Sequence, residues 1–213
     1  MIACILVNVM SYTIAVAGAR GGLGRELVAQ AVDRGYSVIG IVRDENASQP
    51  IFRPCRVGWL DEFVPNTQPV RGDIVLQSAP STMTYDALIL SMSGKPFSKD
   101  DSVKTTRALL DSLPLQCRDV VLVSAHGVGD SIDDANVGIR IMRSAYLRQT
   151  YAAKQVQETL VNALDPTVRT RILRPKVLSY GPIPWNTIAT PREVLAHDIL
   201  NQLVDQGCSV TTS

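Results

Sequence analysis

Gly18-Ala19-Arg20-Gly21-Gly22-Leu23-Gly24 follows an apolar, β-branched run from Tyr12 to Ala17 and opens a helical pattern that continues to Asp33. A glycine turn that carries the chain from strand to helix leaves the first backbone amides of the helix without intrahelical acceptors. They stand at the positive end of the helix dipole, where a phosphate group fits. The glycines are spaced Gly-x-x-Gly-x-x-Gly, not the commoner Gly-x-Gly-x-x-Gly. A glycine motif alone is weak evidence, and its context gives it weight. A second strand pattern from Tyr36 to Val42 ends in Val42-Arg43-Asp44, about 20 residues beyond the turn.

This order predicts a Rossmann dinucleotide site, with Gly18, Arg20, Gly21, Gly22, Leu23 and Gly24 around the pyrophosphate. An acidic residue at the tip of the second strand suits the ribose hydroxyls of NAD(H). Here the tip residue is Arg43. A guanidinium grips a 2′-phosphate through two parallel charge-assisted bonds, with Arg20 as a candidate second cation. NADP(H) is therefore expected over NAD(H). The alternative is that Arg43 faces water and Asp44 holds the ribose.

Bulk properties narrow the function classes. The 213 residues suffice for one well-packed domain, and the 46% hydrophobic and 19% charged fractions are ordinary for a globular protein. A net charge of +1 points to neither nucleic acid nor membrane as partner. Cys4, Cys55, Cys117 and Cys208 are scattered and the histidines are only His126 and His197, so no metal site is expected. Reduced thiols and a cytoplasmic location are the default. Residues 1–10 read as an N-terminal extension without a basic leader, with Met10 as an alternative start, and residues 11–213 as the domain.

Strand and helix patterns then alternate. Strands are expected at Thr13–Ala17, Ser37–Val42, a segment ending near Val70, Ala87–Met92, Asp119–Ser124 and Arg169–Leu173. Helices are expected at Leu23–Arg34, Asp101–Ser112, Ala145–Ala163 and Pro191–Val204, with Gly35 ending the first and Thr190 capping the last. The fold class is α/β: a doubly wound parallel sheet in a single domain with a small substrate-side region. Chemistry belongs at the carboxyl ends of the strands, which nominates Arg43, Ser91 to Gly94 and Ser124 to Gly127.

With these pieces in order, the sequence resembles the short-chain dehydrogenase/reductase superfamily, in particular atypical members close to biliverdin-reductase-B-like and flavin-reductase-like enzymes and to NmrA-like proteins. Further matching pieces are Gly72-Asp73, Asp86-Ala87-Leu88-Ile89 leading to Ser91, Ser93 and Gly94, Val121-Leu122-Val123-Ser124, Lys154 with Glu158, Ile172-Leu173-Arg174-Pro175, and Pro191 to Ala196. The resemblance implies that Asp73, Ser91, Ser93, Gly94, Lys154 and Pro175 join the glycine turn around the cofactor.

It also implies a catalytic serine, tyrosine and lysine. Ser124 and Lys154 match the serine and the lysine. The family spacing Tyr-x-x-x-Lys would put the tyrosine at Thr150, whereas this chain has Tyr151-Ala152-Ala153-Lys154. On a helix that shift turns the side chain by about 100°. Tyr151 is either a displaced catalytic residue or a packing residue, with Tyr146 a more remote substitute. Some members manage without the tyrosine, since flavins, quinones and bilins tolerate delocalised charge after hydride arrival. His126 is a candidate proton donor, the alternative being a solvated loop residue. Trp185, after the Arg174-Pro175 strand end, is favoured over Trp59 as a wall for a planar substrate. His197 reads as structural and Asp130, Asp133 and Asp134 as solvated surface.

The expected function is an NADPH-dependent reductase acting on a small planar acceptor, working as a monomer or homodimer with a small-molecule substrate. The alternative is a non-catalytic NADP(H)-sensing protein of the NmrA-like kind. A sugar-nucleotide epimerase or dehydratase ranks third, because those reactions depend on the tyrosine that is displaced here.

Overall fold

Strands that are apolar at every position need cover on both faces, and alternation sends successive side chains to opposite sides. The computed structural model describes residues 12–42, 49–53, 69–78, 84–92, 101–132, 148–179 and 189–204. Six strands are central: β1 (Thr13–Ala17), β2 (Ser37–Ile41), β3 (Ile74–Gln77), β4 (Ala87–Leu90), β5 (Asp119–Val123) and β6 (Arg169–Leu173). They form one parallel sheet in the order β3-β2-β1-β4-β5-β6. The helices are α1 (Gly22–Asp33), α2 (Ser102–Asp111), α3 (Arg148–Asn162) and α4 (Arg192–Val204).

Alternation divides the core in two. Ile14, Val16, Ala87, Ile89, Val121 and Val123 face one layer, where α1 packs on α4 through Leu27, Val28, Ile199 and Leu200. Ala15, Leu88, Leu90, Val120 and Leu122 face the other with Leu109 and Val161, where α2 packs on α3. Each such large aliphatic side chain contributes about 1.5–3 kcal/mol of burial. Gly35 ends α1 in the left-handed region at φ +81, with Gly35 N–H bonded to Val32 O at 2.9 Å and Tyr36 N–H to Ala31 O at 3.1 Å. That is a Schellman closure, as the sequence implies.

Two expectations are corrected. The third strand does not end near Val70: β3 begins after Gly72-Asp73, and Pro69 makes only an isolated antiparallel bridge to Phe52. Ile74 to Gln77 supplies the apolar run that pairs with Val38 to Ile41, and residues 69–70 instead return to the 51–52 segment. Thr190 does not cap α4. Ala189–Pro191 is a short strand, β8, parallel to β7 (Val177–Ser179), and the helix begins at Arg192. A 3₁₀ turn at Gly129–Ile132 was also not anticipated. Among the described residues no helix is long and apolar enough to cross a membrane.

The amino edge of the sheet carries buried groups that hold their protons tightly. Burial pushes the Cys117 thiol from 9.0 up to about 12 and the Tyr85 phenol from 10.0 up to about 12. Tyr12 is also raised well above its usual value, by burial first and then by the Asp119 and Asp86 carboxylates. These groups ionise more readily in the unfolded chain, so their contribution is fully present below about pH 9 and is lost as pH rises towards 12. Thermal unfolding followed by circular dichroism from pH 8 to 11 is expected to show a Tm flat to about pH 9 and falling above it. A Tm unchanged to pH 11 would contradict this.

Candidate active site at the carboxyl edge

The glycine turn sits where the sheet order reverses, between β1 and its two neighbours, the place where open α/β sheets bind ligands. Gly18, at φ +83, donates its N–H to Ile41 O of β2 at 3.1 Å. Ser91, just past β4, returns its backbone N–H and its hydroxyl to Ala17 O, each at 3.0 Å. A Cβ on Gly18 would lie 3.0 Å from Ser91 O, so glycine is what lets these strand ends close up. Gly21 is the N-cap of α1 and supplies no side-chain cap, and the first turn holds no acidic residue. Among the described residues, the opening amides of Gly22, Leu23 and Gly24 therefore have no side-chain cap from Gly21, and the first turn carries no carboxylate to repel a phosphate. Gly24 lies hard against the backbone of Gly18 and Ala19, which brings the helix start up to the strand end. These features fit a pyrophosphate.

Arg20 is placed differently from its expected role. Its guanidinium donates to Pro50 O at 3.1 Å and to Gln49 O, strapping that segment to the turn. Asp73 is not brought to the site. It precedes β3, at the amino edge of the sheet, and accepts a hydrogen bond from the Ser37 hydroxyl. Arg43, Ser93, Gly94 and Trp185 lie outside the described residues, as do Asp44, Trp59 and Tyr146.

Five of the remaining predicted residues are brought together. Lys154, buried on α3, donates from Nζ to Val123 O at 2.8 Å and to Met92 O, spanning the ends of β4 and β5. Ser124, the next residue after Val123, is also buried, and its Oγ has no hydrogen-bond partner among the described residues. His126 is held by its N–H to Pro175 O at 2.9 Å, and its own carbonyl accepts the Tyr151 hydroxyl at 3.1 Å. The displaced tyrosine thus reaches the loop after β5 and grips its backbone. Pro175 enters through its carbonyl. His197 lies elsewhere, exposed on α4 beside Asn201 at 3.1 Å.

The sequence reading missed one feature of the site. Arg174 and Glu158 form a two-bond ion pair, Nε to Oε1 at 3.0 Å and Nη2 to Oε2 at 2.8 Å, with Glu158 buried. Both residues stood in matched motifs without a role, and the available signal was an acid one turn after Lys154 on the same helix face.

A family model for NAD(P)H-binding proteins matches residues 18–199. The chain belongs to this NAD(P)H-binding family. The match begins at Gly18, just past β1, and ends in α4, so it spans the glycine turn and strands β2 to β6 of the main sheet. No curated protein matches the chain. Among solved structures, the anaerobilin reductase ChuY of Escherichia coli O157:H7 is similar at TM-score 0.62 and 16% identity, over 90% of each chain. The oxidoreductase ylbE of Lactococcus lactis has TM-score 0.60 and 15% identity over 90% of this chain and 84% of its own. A UDP-N-acetylglucosamine 4-epimerase from Bacillus cereus has TM-score 0.59 and 15% identity over 89% and 72%. At such identities these likenesses establish the Rossmann fold. In an NAD(P)H-binding protein of this fold, the uncapped start of α1 and the Lys154 bridge stand on the edge where a nicotinamide dinucleotide lies.

Proposed function

We propose that this chain is an NADPH-dependent reductase that delivers hydride to a small planar acceptor of the flavin, quinone or bilin type. The observation that carries the reading is the Lys154 ammonium at the ends of β4 and β5, one residue from a buried serine hydroxyl without a partner among the described residues. The glycine turn would hold the pyrophosphate, Arg43 the 2′-phosphate, and Lys154 the nicotinamide ribose. NADPH, when bound, supplies the hydride. The protein's own part is positional and electrostatic. Ser124 Oγ would donate to the acceptor heteroatom on which negative charge develops, and the fixed ammonium of Lys154 would lower the energy of that charge. Tyr151 directs its hydroxyl at a backbone carbonyl, which favours acceptors that need no tyrosine acid. Trp185 would wall the acceptor, and His126 or solvent would provide a proton.

The two arginines are expected to separate in binding. Arg43→Ala should weaken NADPH by about 10- to 100-fold and leave NADH nearly unchanged, the value of charge-assisted bonds to one phosphate. Arg20→Ala should weaken both nucleotides alike, because Arg20 straps a segment beside the turn. Fluorescence titrations with both nucleotides check this, and NADPH oxidation with a panel of flavins, quinones and bilins tests turnover. Tight NADPH binding with no turnover on any acceptor would replace the reductase with a nucleotide sensor. Binding of neither nucleotide would overturn both.

A further inference from the structure

We propose that the Glu158–Arg174 ion pair is a positioning device for the loop that carries Ser124 and His126. The inference deepens the reductase reading and rests on it for its catalytic consequence. The loop runs from the end of β5 through Ser124, Ala125, His126 and Gly127 into the 3₁₀ turn at Gly129–Ile132. Four contacts hold it. On the β6 side, Ser124 N–H bonds Leu173 O at 2.7 Å and His126 N–H bonds Pro175 O at 2.9 Å, the residues flanking Arg174. On the α3 side the Tyr151 hydroxyl donates to His126 O. At the far end the loop backbone rests on the ion pair itself. Gly129 sits at φ +59, and a Cβ there would lie 3.0 Å from Arg174 Nη2 and 3.2 Å from Glu158 Oε2. Within the loop, Gly127 N–H bonds the Ser131 hydroxyl at 2.9 Å, which itself donates to Val128 O at 2.7 Å, so the segment can move as one unit.

The chemistry of the pair suits this role. Taking a carboxylate and a guanidinium out of water gains little net stability over apolar residues of the same size. What a two-bond pair supplies is a fixed direction. Glu158 lies one helical turn from Lys154 on the buried face of α3, and Arg174 closes the end of β6. The pair therefore fixes the end of β6 to the helix that carries Lys154, and fixes the height of the loop between them. Neither side chain needs to touch substrate, so Arg174 and Glu158 are positioning residues.

Amide hydrogen exchange on the full chain without nucleotide is the first test, on wild type, Arg174→Met, Arg174→Lys, Glu158→Gln and Gly129→Ala. Arg174→Met should raise exchange at Ser124, His126, Gly127 and Ser131 by on the order of tenfold or more, with α1 and β1 amides unchanged. Arg174→Lys should fall between, since an ammonium restores charge but not the two-bond direction. Gly129→Ala, which keeps both charges, should give the same local pattern, through the strain of its left-handed φ of +59 together with pressure on the pair from the loop side. The second readout is turnover: Arg174→Met should lower kcat at least about tenfold with NADPH Kd unchanged within about twofold. Exchange that rises uniformly through the sheet, or does not rise in the loop, overturns the proposal. So does a kcat unaffected by Arg174→Met. Absence of acceptor turnover in wild type would sink the reductase reading alone, and the exchange pattern would still decide whether the pair positions the loop.

Discussion

Gly24→Ala is expected to abolish nucleotide binding and to destabilise the protein, although alanine is the better helix former by about 1 kcal/mol. The clash decides the sign. A Cβ at position 24 would overlap Gly18 O and lie 2.8 Å from Gly18 C and 2.9 Å from Ala19 Cα. All three atoms belong to the backbone of the turn, which is tied to β2 through Gly18 N–H and to β4 through Ser91, so no flexible side chain can yield. Helix α1 must move away from the strand ends, and the amides that meet the phosphates move with it. Overpacking of this kind costs about 1–3 kcal/mol, equivalent to a Tm lower by about 2–12 °C in a chain of this size. NADPH affinity should fall beyond fluorescence detection. Gly35→Ala is the control: its surroundings are open and only the left-handed φ of +81 opposes a side chain. It should cost about 1 kcal/mol with NADPH binding intact. A Gly24→Ala variant that melts and binds like wild type would remove the argument that this glycine packs the helix against the turn.

What made the site legible in the sequence was local. The glycine turn, the Gly35 stop and Ser124 at a strand end all follow from short-range rules, because strand period, helix period and glycine conformations are local properties. The third strand was not legible for a physical reason. β3 is four residues at the sheet edge and only partly buried, so Ile74 to Gln77 shows no alternation and its register depends on β2. Thr190 and Pro191 read as a helix start, and their pairing with Leu178 and Ser179 is visible only once two distant segments meet. The same holds for Tyr151. Its spacing from Lys154 showed that the family arrangement was broken, but not that the hydroxyl would find His126 O. The Glu158–Arg174 pair joins a helix to a strand end across 16 positions, and charge pattern alone names no partner at that separation.

Lys154→Met should separate stability from function more sharply than any other substitution in this chain. Methionine keeps most of the stem and removes every donor. Two opposed terms then act on the protein without nucleotide. Val123 O loses a donor in a buried setting, at about 1–3 kcal/mol if left unsatisfied, and Met92 O loses one in a half-buried setting, at less. Against this, the cost of holding an ammonium at 5% exposure disappears. These partly cancel, so Tm should move by only a few degrees. Nothing cancels in the chemistry. The ammonium at the ends of β4 and β5 is the fixed charge proposed to hold the ribose and to stabilise charge arriving on the acceptor. Losing one preorganised donor at such a place costs about 10²–10³ in kcat. Lys154→Arg should not rescue, because a planar guanidinium cannot replace a compact ammonium between two carbonyls in a closed site. The measurement is kcat and NADPH Kd beside a thermal melt for both variants. Turnover within tenfold of wild type in Lys154→Met would remove this lysine from the site. A loss of Tm as large as the loss of rate would make it a structural bridge and move the chemistry to Ser124 and His126.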